Sequence, residues 1–100
     1  MPLVWKSKAG VDEVEVARMF HALAHPIRLR IVRLLMDGDV EACQEIVDKL
    51  PIAQSTVSQH LKVLKNAGIV SDSSEGPRRR YRFQEGTVDR LRRFLKEFEG

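Results

Sequence analysis

The most regular pattern of apolar and polar positions lies between residues 53 and 68. Val57, Leu61 and Leu64 recur at i, i+4 and i+7, which predicts that they line the buried side of one α-helix. Gly68 follows the last apolar position and can adopt a positive φ, so we expect the helix to end there.

The opposite side of this predicted helix is polar. At about 100° per residue, it carries hydroxyl, amide and ammonium groups from Ser55, Ser58, Gln59, Lys62 and Asn66. Short amides and hydroxyls read base edges in a DNA major groove, while lysines bind phosphates. Because a solvated amphipathic helix has the same pattern, the helix alone leaves both interpretations open.

Three further helices are predicted before it. They run from about Glu13 to Ala24, from Pro26 to about Asp37, and from Ala42 to Leu50. Asp12 and Glu15 form a capping-box pattern at the first, and proline is favourable at the first position of the second. Residues 1–11 have no sustained period and predict a loosely held arm. Trp5 is expected to tuck against its own domain or to lie in a dimer interface.

The chain after Gly68 predicts a hairpin and a last helix. Ile69 and Val70 begin a β-like run, residues 71–77 supply turn residues, and residues 78–83 form a second, basic run. Thr87 is the expected N-cap of a helix from Val88 to Phe98. A helix, a glycine stop and a basic hairpin are the plan of a winged helix-turn-helix. The predicted fold class is therefore α+β, mostly helical, with about five helices and a two-stranded β-wing in one domain, residues 12–98.

The segment QSTVSQHLKVLKNAGIV, followed by GPRRRYRF, resembles the ArsR/SmtB repressors, and the resemblance extends from about Val16 to Phe83. It implies a homodimeric transcriptional repressor that binds an inverted repeat in double-stranded DNA, with half-sites about one helical turn apart. It also implies that the first and last helices pair across a two-fold axis. The expected interface residues are Val16, Met19, Phe20, Leu91, Phe94, Leu95 and Phe98. The alternative is that the last helix packs only on its own core.

The resemblance also implies roles for individual residues at DNA. Ser55, Ser58, Gln59 and His60 are expected to read or position bases, and Gln54, Thr56, Lys62 and Lys65 to fix the backbone. Arg78, Arg79 and Arg80 are expected to enter or straddle the minor groove from the wing. Ala53 stands at the N-cap, where alanine cannot accept a hydrogen bond, at a cost of about 1 kcal/mol.

Composition and charge narrow the class of protein. The chain has 100 residues, of which 43% are hydrophobic and 31% charged, which is typical of a soluble globular domain. It contains no apolar run long enough for a membrane span and no signal-peptide pattern, so we expect a cytoplasmic protein without a membrane partner. The net charge is +3, and the stretch from Gln54 to Phe83 alone carries a surplus of four positive charges. That is where phosphates would be bound.

The sequence gives little support to metal or catalytic chemistry. His21 and His25 are spaced i, i+4, but no third ligand is placed to join them. A lone Cys43 without a glycine-rich oxyanion loop does not indicate an enzyme. We therefore predict no catalysis, no cofactor and no metal site.

The inducer sites that the family resemblance implies are not matched here. Ala42 and Gln44 occupy the positions of the family's Cys-x-Cys pair, the last helix has no histidine, and the wing has no cysteine. Cys43 is either a buried small apolar residue or a redox-sensing thiol. Three alternatives stay open: a redox-sensing repressor, an unidentified inducer, and a winged-helix module that binds an acidic protein.

Overall fold

The computed structural model describes residues 5–38, 42–76 and 78–99. In these residues, five α-helices, one antiparallel hairpin and a final 3₁₀ turn follow one another. They are α1 Glu13–Leu23, α2 Pro26–Met36, α3 Cys43–Lys49, α4 Gln54–Asn66, β1 Val70–Glu75, β2 Arg78–Phe83, α5 Glu85–Lys96 and the 3₁₀ turn Glu97–Glu99. The predicted fold class is confirmed. No helix in the described ranges is long and apolar enough to cross a membrane.

The core lies under α4. Val57, Leu61 and Leu64 are completely buried, as the spacing predicts, and they join Ile31 of α2 and Ile46 of α3 in one cluster. Burial of one such side chain contributes about 1.5–3 kcal/mol relative to its exposure. This packing fixes the rotation of α4 and directs its polar side outward.

Both ends of α4 follow from local chemistry. Ala53 is the N-cap and makes no side-chain capping bond, as its methyl group requires. At the other end, Gly68 has a φ of +77°. The next residue, Ile69, donates its N–H to the carbonyl of Leu64 at 3.0 Å, which satisfies a free carbonyl of the last turn.

The starts of α1 and α2 are capped in different ways. The Asp12 carboxylate accepts the N–H of Val14 at 3.0 Å, but Glu15, expected to complete the capping box, bonds Arg90 of α5. At α2 the cap is His25, whose Nδ1 accepts the N–H of Ile27 at 3.1 Å.

The hairpin corrects one sequence-based expectation. Residues 71–75, expected to be turn residues, belong to β1, which pairs with β2 from Val70 opposite Phe83 to Glu75 opposite Arg78. Serine and aspartate have low strand propensity, but pairing of every β1 residue with the basic strand β2 outweighs it. The turn contains Gly76 with a φ of +61°. Pro77 lies outside the described residues.

The start and end of α5 also differ from the prediction. The helix begins at Glu85 rather than Val88, its N-cap is Gln84 rather than Thr87, and it ends at Lys96. Gln84 is held by the chain at the start of the hairpin, since its N–H donates to the Ile69 carbonyl at 2.9 Å and its Nε2 to Ser71 Oγ at 2.6 Å. The chain is therefore positioned to enter the helix immediately after Gln84.

The described part of the N-terminal arm is not loosely held. Lys6 pairs with Asp12 in an isolated antiparallel bridge, Val11 is buried, and the N–H of Lys8 donates to Glu97 Oε1 at 3.0 Å. Trp5 does not tuck against its own domain, because its side chain is 60% exposed. Residues 1–4 of the predicted arm lie outside the described residues.

Candidate nucleic-acid interface

The polar side of α4 is open to solvent. The residues on it that are exposed are Gln54, Ser55, Ser58, Gln59, Lys62, Lys65 and Asn66, while Thr56 and His60 are half-buried. This surface holds hydroxyl and amide groups that can donate and accept, with ammonium groups beside them. It is backed by a rigid apolar core, so its groups are presented in a fixed arrangement.

His60 differs from its neighbours because it packs against another imidazole. Its ring centroid lies 4.5 Å from that of His25, with the planes at 54°. Burial lowers the pKa of His60, and the nearby His25 and Arg28 lower it further. At neutral pH the side chain is therefore a neutral imidazole, which offers one donor and one acceptor rather than a positive charge.

The wing, defined as the β1–β2 hairpin, divides the three predicted arginines between its two faces. Side chains alternate along a strand, so Arg79 shares a face with Tyr81 and, across the pair, with Asp72. That face is turned toward α4. Arg78 and Arg80 lie on the opposite face, and the Arg80 backbone bridges to Ala42 ahead of α3.

A groove of about 350 Å³ separates α4 from the wing. It is lined by Ser58, Leu61, Lys62, Lys65, Asn66, Asp72, Arg79 and Tyr81. Asp72 contacts both walls: one carboxylate oxygen is 3.0 Å from Lys65 Nζ and the other 3.2 Å from Arg79 Nη1. From the sequence, Asp72 counted only as an opposing charge. If residues 71–75 had been recognised as a strand, the alternation of side chains along it would have placed Asp72 on the same face of the hairpin as Arg79.

Comparison with known proteins identifies the family of this chain. A family model described as "Bacterial regulatory protein, arsR family" matches residues 25–72. An HTH-type transcriptional regulator of Methanocaldococcus jannaschii is 35% identical over 82 residues, which are 82% of this chain and 89% of that protein. Another from Mycobacterium tuberculosis is 41% identical over 81 residues, 81% of this chain and 75% of that protein. The chain belongs to the ArsR family. It is a transcriptional regulator, in a class of proteins that are not enzymes.

Solved structures agree on the fold of this ArsR-family chain. An ArsR-like transcriptional regulator from Rhodococcus superposes with a TM-score of 0.77 at 25% identity, over 87% of this chain and 81% of that one. The homodimeric winged helix-turn-helix DNA-binding domain of a possible ArsR-family regulator from Mycobacterium bovis superposes with a TM-score of 0.70 at 34% identity, over 87% and 80%.

Cys43 lies at the edge of the polar surface of α4. It is the first residue of α3 and half-buried, and its Sγ is 3.6 Å from Ser58 Oγ. The thiol is therefore in direct contact with a residue expected to face bases.

The structure gives no support to a histidine metal site within the described ranges, where no three His, Cys, Asp or Glu side chains gather closely enough to hold an ion. His21 is exposed on α1, whereas His25 is engaged with His60 and the start of α2. Although His21 and His25 are spaced i, i+4, their side chains therefore lie in different surroundings.

The residues expected at a dimer interface fall into two groups. Val16, Met19 and Leu91 are buried in the core of their own chain. Phe20, Leu95 and Phe98 are exposed, Phe98 at 74%, whereas Phe94 is half-buried and also packs against the core. The centroid of the Phe94 ring is 6.2 Å from that of Phe20 and 5.3 Å from that of Phe98, so α1, α5 and the final 3₁₀ turn share one aromatic surface.

Proposed function

We propose that this ArsR-family regulator is a cytoplasmic, non-catalytic repressor that binds an inverted-repeat operator in double-stranded DNA as a homodimer. The observation that carries the proposal is the arrangement of α4. Its apolar side is completely buried at Val57, Leu61 and Leu64, while its opposite side presents amide, hydroxyl and ammonium groups beside a basic wing. Such a helix fits a major groove, with the wing near the adjacent backbone.

The proposed roles at DNA follow position on this surface. Ser55, Ser58, Gln59 and His60 read or position bases, and Gln54, Thr56, Lys62 and Lys65 fix the backbone from α4, with Arg78, Arg79 and Arg80 acting from the wing. His60 contributes as a neutral imidazole, because its lowered pKa removes its charge at neutral pH. The charge that binds phosphate therefore comes from lysines and arginines.

The proposed dimer uses the aromatic surface formed by α1, α5 and the final 3₁₀ turn. Phe20, Leu95 and Phe98 are exposed and can contact a partner without disturbing the core, and the half-buried Phe94 joins this surface to the core. Val16, Met19 and Leu91 support the surface from below. Two copies related by a two-fold axis would place their α4 helices in successive turns of the major groove.

Selection of bound duplexes from a random pool tests this function directly. The expected product is an inverted repeat whose half-sites are about one helical turn apart. If no sequence is enriched and binding is no stronger for duplex DNA than for acidic proteins, the chain is instead a winged-helix interaction module.

We expect Gln59→Ala to weaken binding to the selected operator by about 1–3 kcal/mol and to leave binding to random duplex nearly unchanged. The exposed amide can bond a base edge in two places, and its loss removes base contacts but no charge. Lys62→Ala is the contrasting control on the same helix. It should weaken binding to both the operator and the random duplex, and it should reduce the salt slope of binding by about 0.9. An equal loss on both duplexes for Gln59→Ala would contradict its role. Fluorescence anisotropy titrations measure both.

We also expect zinc, cadmium and arsenite at stoichiometric levels to leave operator affinity unchanged, and Cys43→Ser to retain DNA binding. The expectation rests on Ala42 and Gln44 at the cysteine-pair positions, a last helix without histidine and a wing without cysteine. Metal titrations of the protein–operator complex measure it. Tight metal binding that releases DNA from the wild type but not from Cys43→Ser would contradict it.

A second candidate for regulation is redox control, which the contact between Cys43 Sγ and Ser58 Oγ favours. Hydrogen peroxide would oxidise the thiol to a sulfenic acid and be reduced to water, placing an added oxygen beside α4. If this control operates, peroxide lowers the operator affinity of the wild type and leaves that of Cys43→Ser intact. Equal responses of the two proteins would eliminate it.

A further inference from the structure

The carboxylate of Asp72 occupies an unusual place for an acid, within a surface that otherwise suits phosphate. It projects from β1 into the groove between α4 and the wing, where its side chain is 14% exposed. Lys65 Nζ lies near both carboxylate oxygens, 3.0 Å from Oδ1 and 3.1 Å from Oδ2, and Arg79 Nη1 lies 3.2 Å from Oδ2. The two basic side chains are about half exposed, at 46% and 58%.

The three groups come from three different elements. Lys65 belongs to the last turn of α4, Asp72 to β1 and Arg79 to β2. The ion pairs therefore connect the helix expected to read bases with the wing expected to meet the backbone. Rotation of the wing away from α4 would separate Lys65 from Asp72.

The trio carries one net positive charge instead of the two that its cations would supply alone. Lys65 and Arg79 both lower the pKa of Asp72, the hydrogen bond from Lys65 most strongly, so the carboxylate is ionised at neutral pH. An ionised carboxylate in this groove repels any phosphate that approaches. It also occupies donors of Lys65 and Arg79 that would otherwise be available to phosphates of any sequence.

We propose that Asp72 is a specificity-determining residue of the DNA interface. It restrains binding to arbitrary duplexes and holds the wing in the orientation that the operator requires. This inference rests on the proposed function and adds a residue that neither reads bases nor binds phosphate.

The physical reason is that the two kinds of binding use charge differently. Binding to arbitrary DNA is almost entirely electrostatic, so an anion in the groove reduces it directly. Binding to an operator also uses base contacts from α4, which gain from a wing already held in place, because less ordering is required on association. A charge that opposes the wrong partner is a general route to specificity.

The test is Asp72→Asn, which preserves shape and removes the negative charge. We expect its affinity for random duplex to rise by about three- to tenfold, with the salt slope steeper by about 0.9, the value for one added phosphate contact. Its affinity for the selected operator should rise less, so the ratio of operator to random affinity falls. Thermal unfolding monitored by circular dichroism verifies that the variant is folded.

Asp89→Asn is the matched control. Asp89 also holds two arginines, Arg92 at 3.3 Å and Arg93 at 3.7 Å, but all three lie on α5. The Asp89→Asn substitution removes the same charge and frees the same number of cations, but outside the groove. It should leave the ratio of operator to random affinity unchanged. Adding Lys65→Gln to Asp72→Asn should return the salt slope to the wild-type value, because the added charge is removed.

Three outcomes would overturn the role of Asp72. Equal gains in affinity for operator and random duplex would mean that Asp72 acts only through net charge. A loss of affinity for both would mean that it only holds the wing against α4. Unchanged affinities would mean that it does neither. Wild-type protein measured on the same duplexes tests the proposed function separately, since failure of the wild type to discriminate would refute that function and not the role of Asp72.

Discussion

Phe98→Asp is expected to convert the proposed dimer into monomers. Phe98 is 74% exposed in the single chain, and its ring contacts that of Phe94 at 5.3 Å. The substitution therefore spares the core of its own chain while placing a carboxylate in an apolar interface, where an unpaired charge costs several kcal/mol. Sedimentation velocity at micromolar concentration measures the assembly directly.

The same variant should bind an operator poorly, because a monomer engages one half-site and loses the benefit of linked binding. Lys96→Asp is a suitable control, since it introduces the same side chain at an exposed position at the end of α5, two residues before Phe98. The control should remain dimeric. A fully dimeric Phe98→Asp would show that this aromatic surface serves only its own chain.

The sequence predicts α4 well because its determinants are local. Val57, Leu61 and Leu64 repeat with helical spacing and are all completely buried, and Gly68 adopts the positive φ that ends the helix. Each of these features acts within about one or two turns, so an ordered list of residues contains the necessary information.

The missed boundaries depend on partners distant in sequence. β1 contains Ser71, Asp72 and Ser73, which indicate a turn when considered alone and become a strand only through pairing with β2. Likewise α5 begins early because Gln84 is bonded to Ile69 and Ser71. Tertiary contacts outweigh local propensity in both places.

The site itself is only partly visible in the sequence. Periodicity identifies the polar side of α4, but it does not reveal that Asp72 lies between Lys65 and Arg79, or that His60 packs against His25. Nor does it separate apolar residues that fill the core, such as Met19, from those left at the surface. These distinctions depend on how the elements pack.

Leu61→Ala is expected to lower the free energy of unfolding by about 2–5 kcal/mol, a large share of the roughly 5–15 kcal/mol typical of a domain. Leu61 is completely buried, and it also lines the groove between α4 and the wing, so its loss opens a cavity beneath the proposed DNA-binding surface. Urea unfolding at fixed protein concentration should show a lower midpoint with an unchanged m-value. Leu29→Ala makes the same chemical change at a side chain that is 54% exposed on α2, and its effect should stay within about 0.5 kcal/mol. Similar losses in the two variants would mean that the packing under α4 does not hold its orientation, because the buried leucine would then contribute no more than an exposed one.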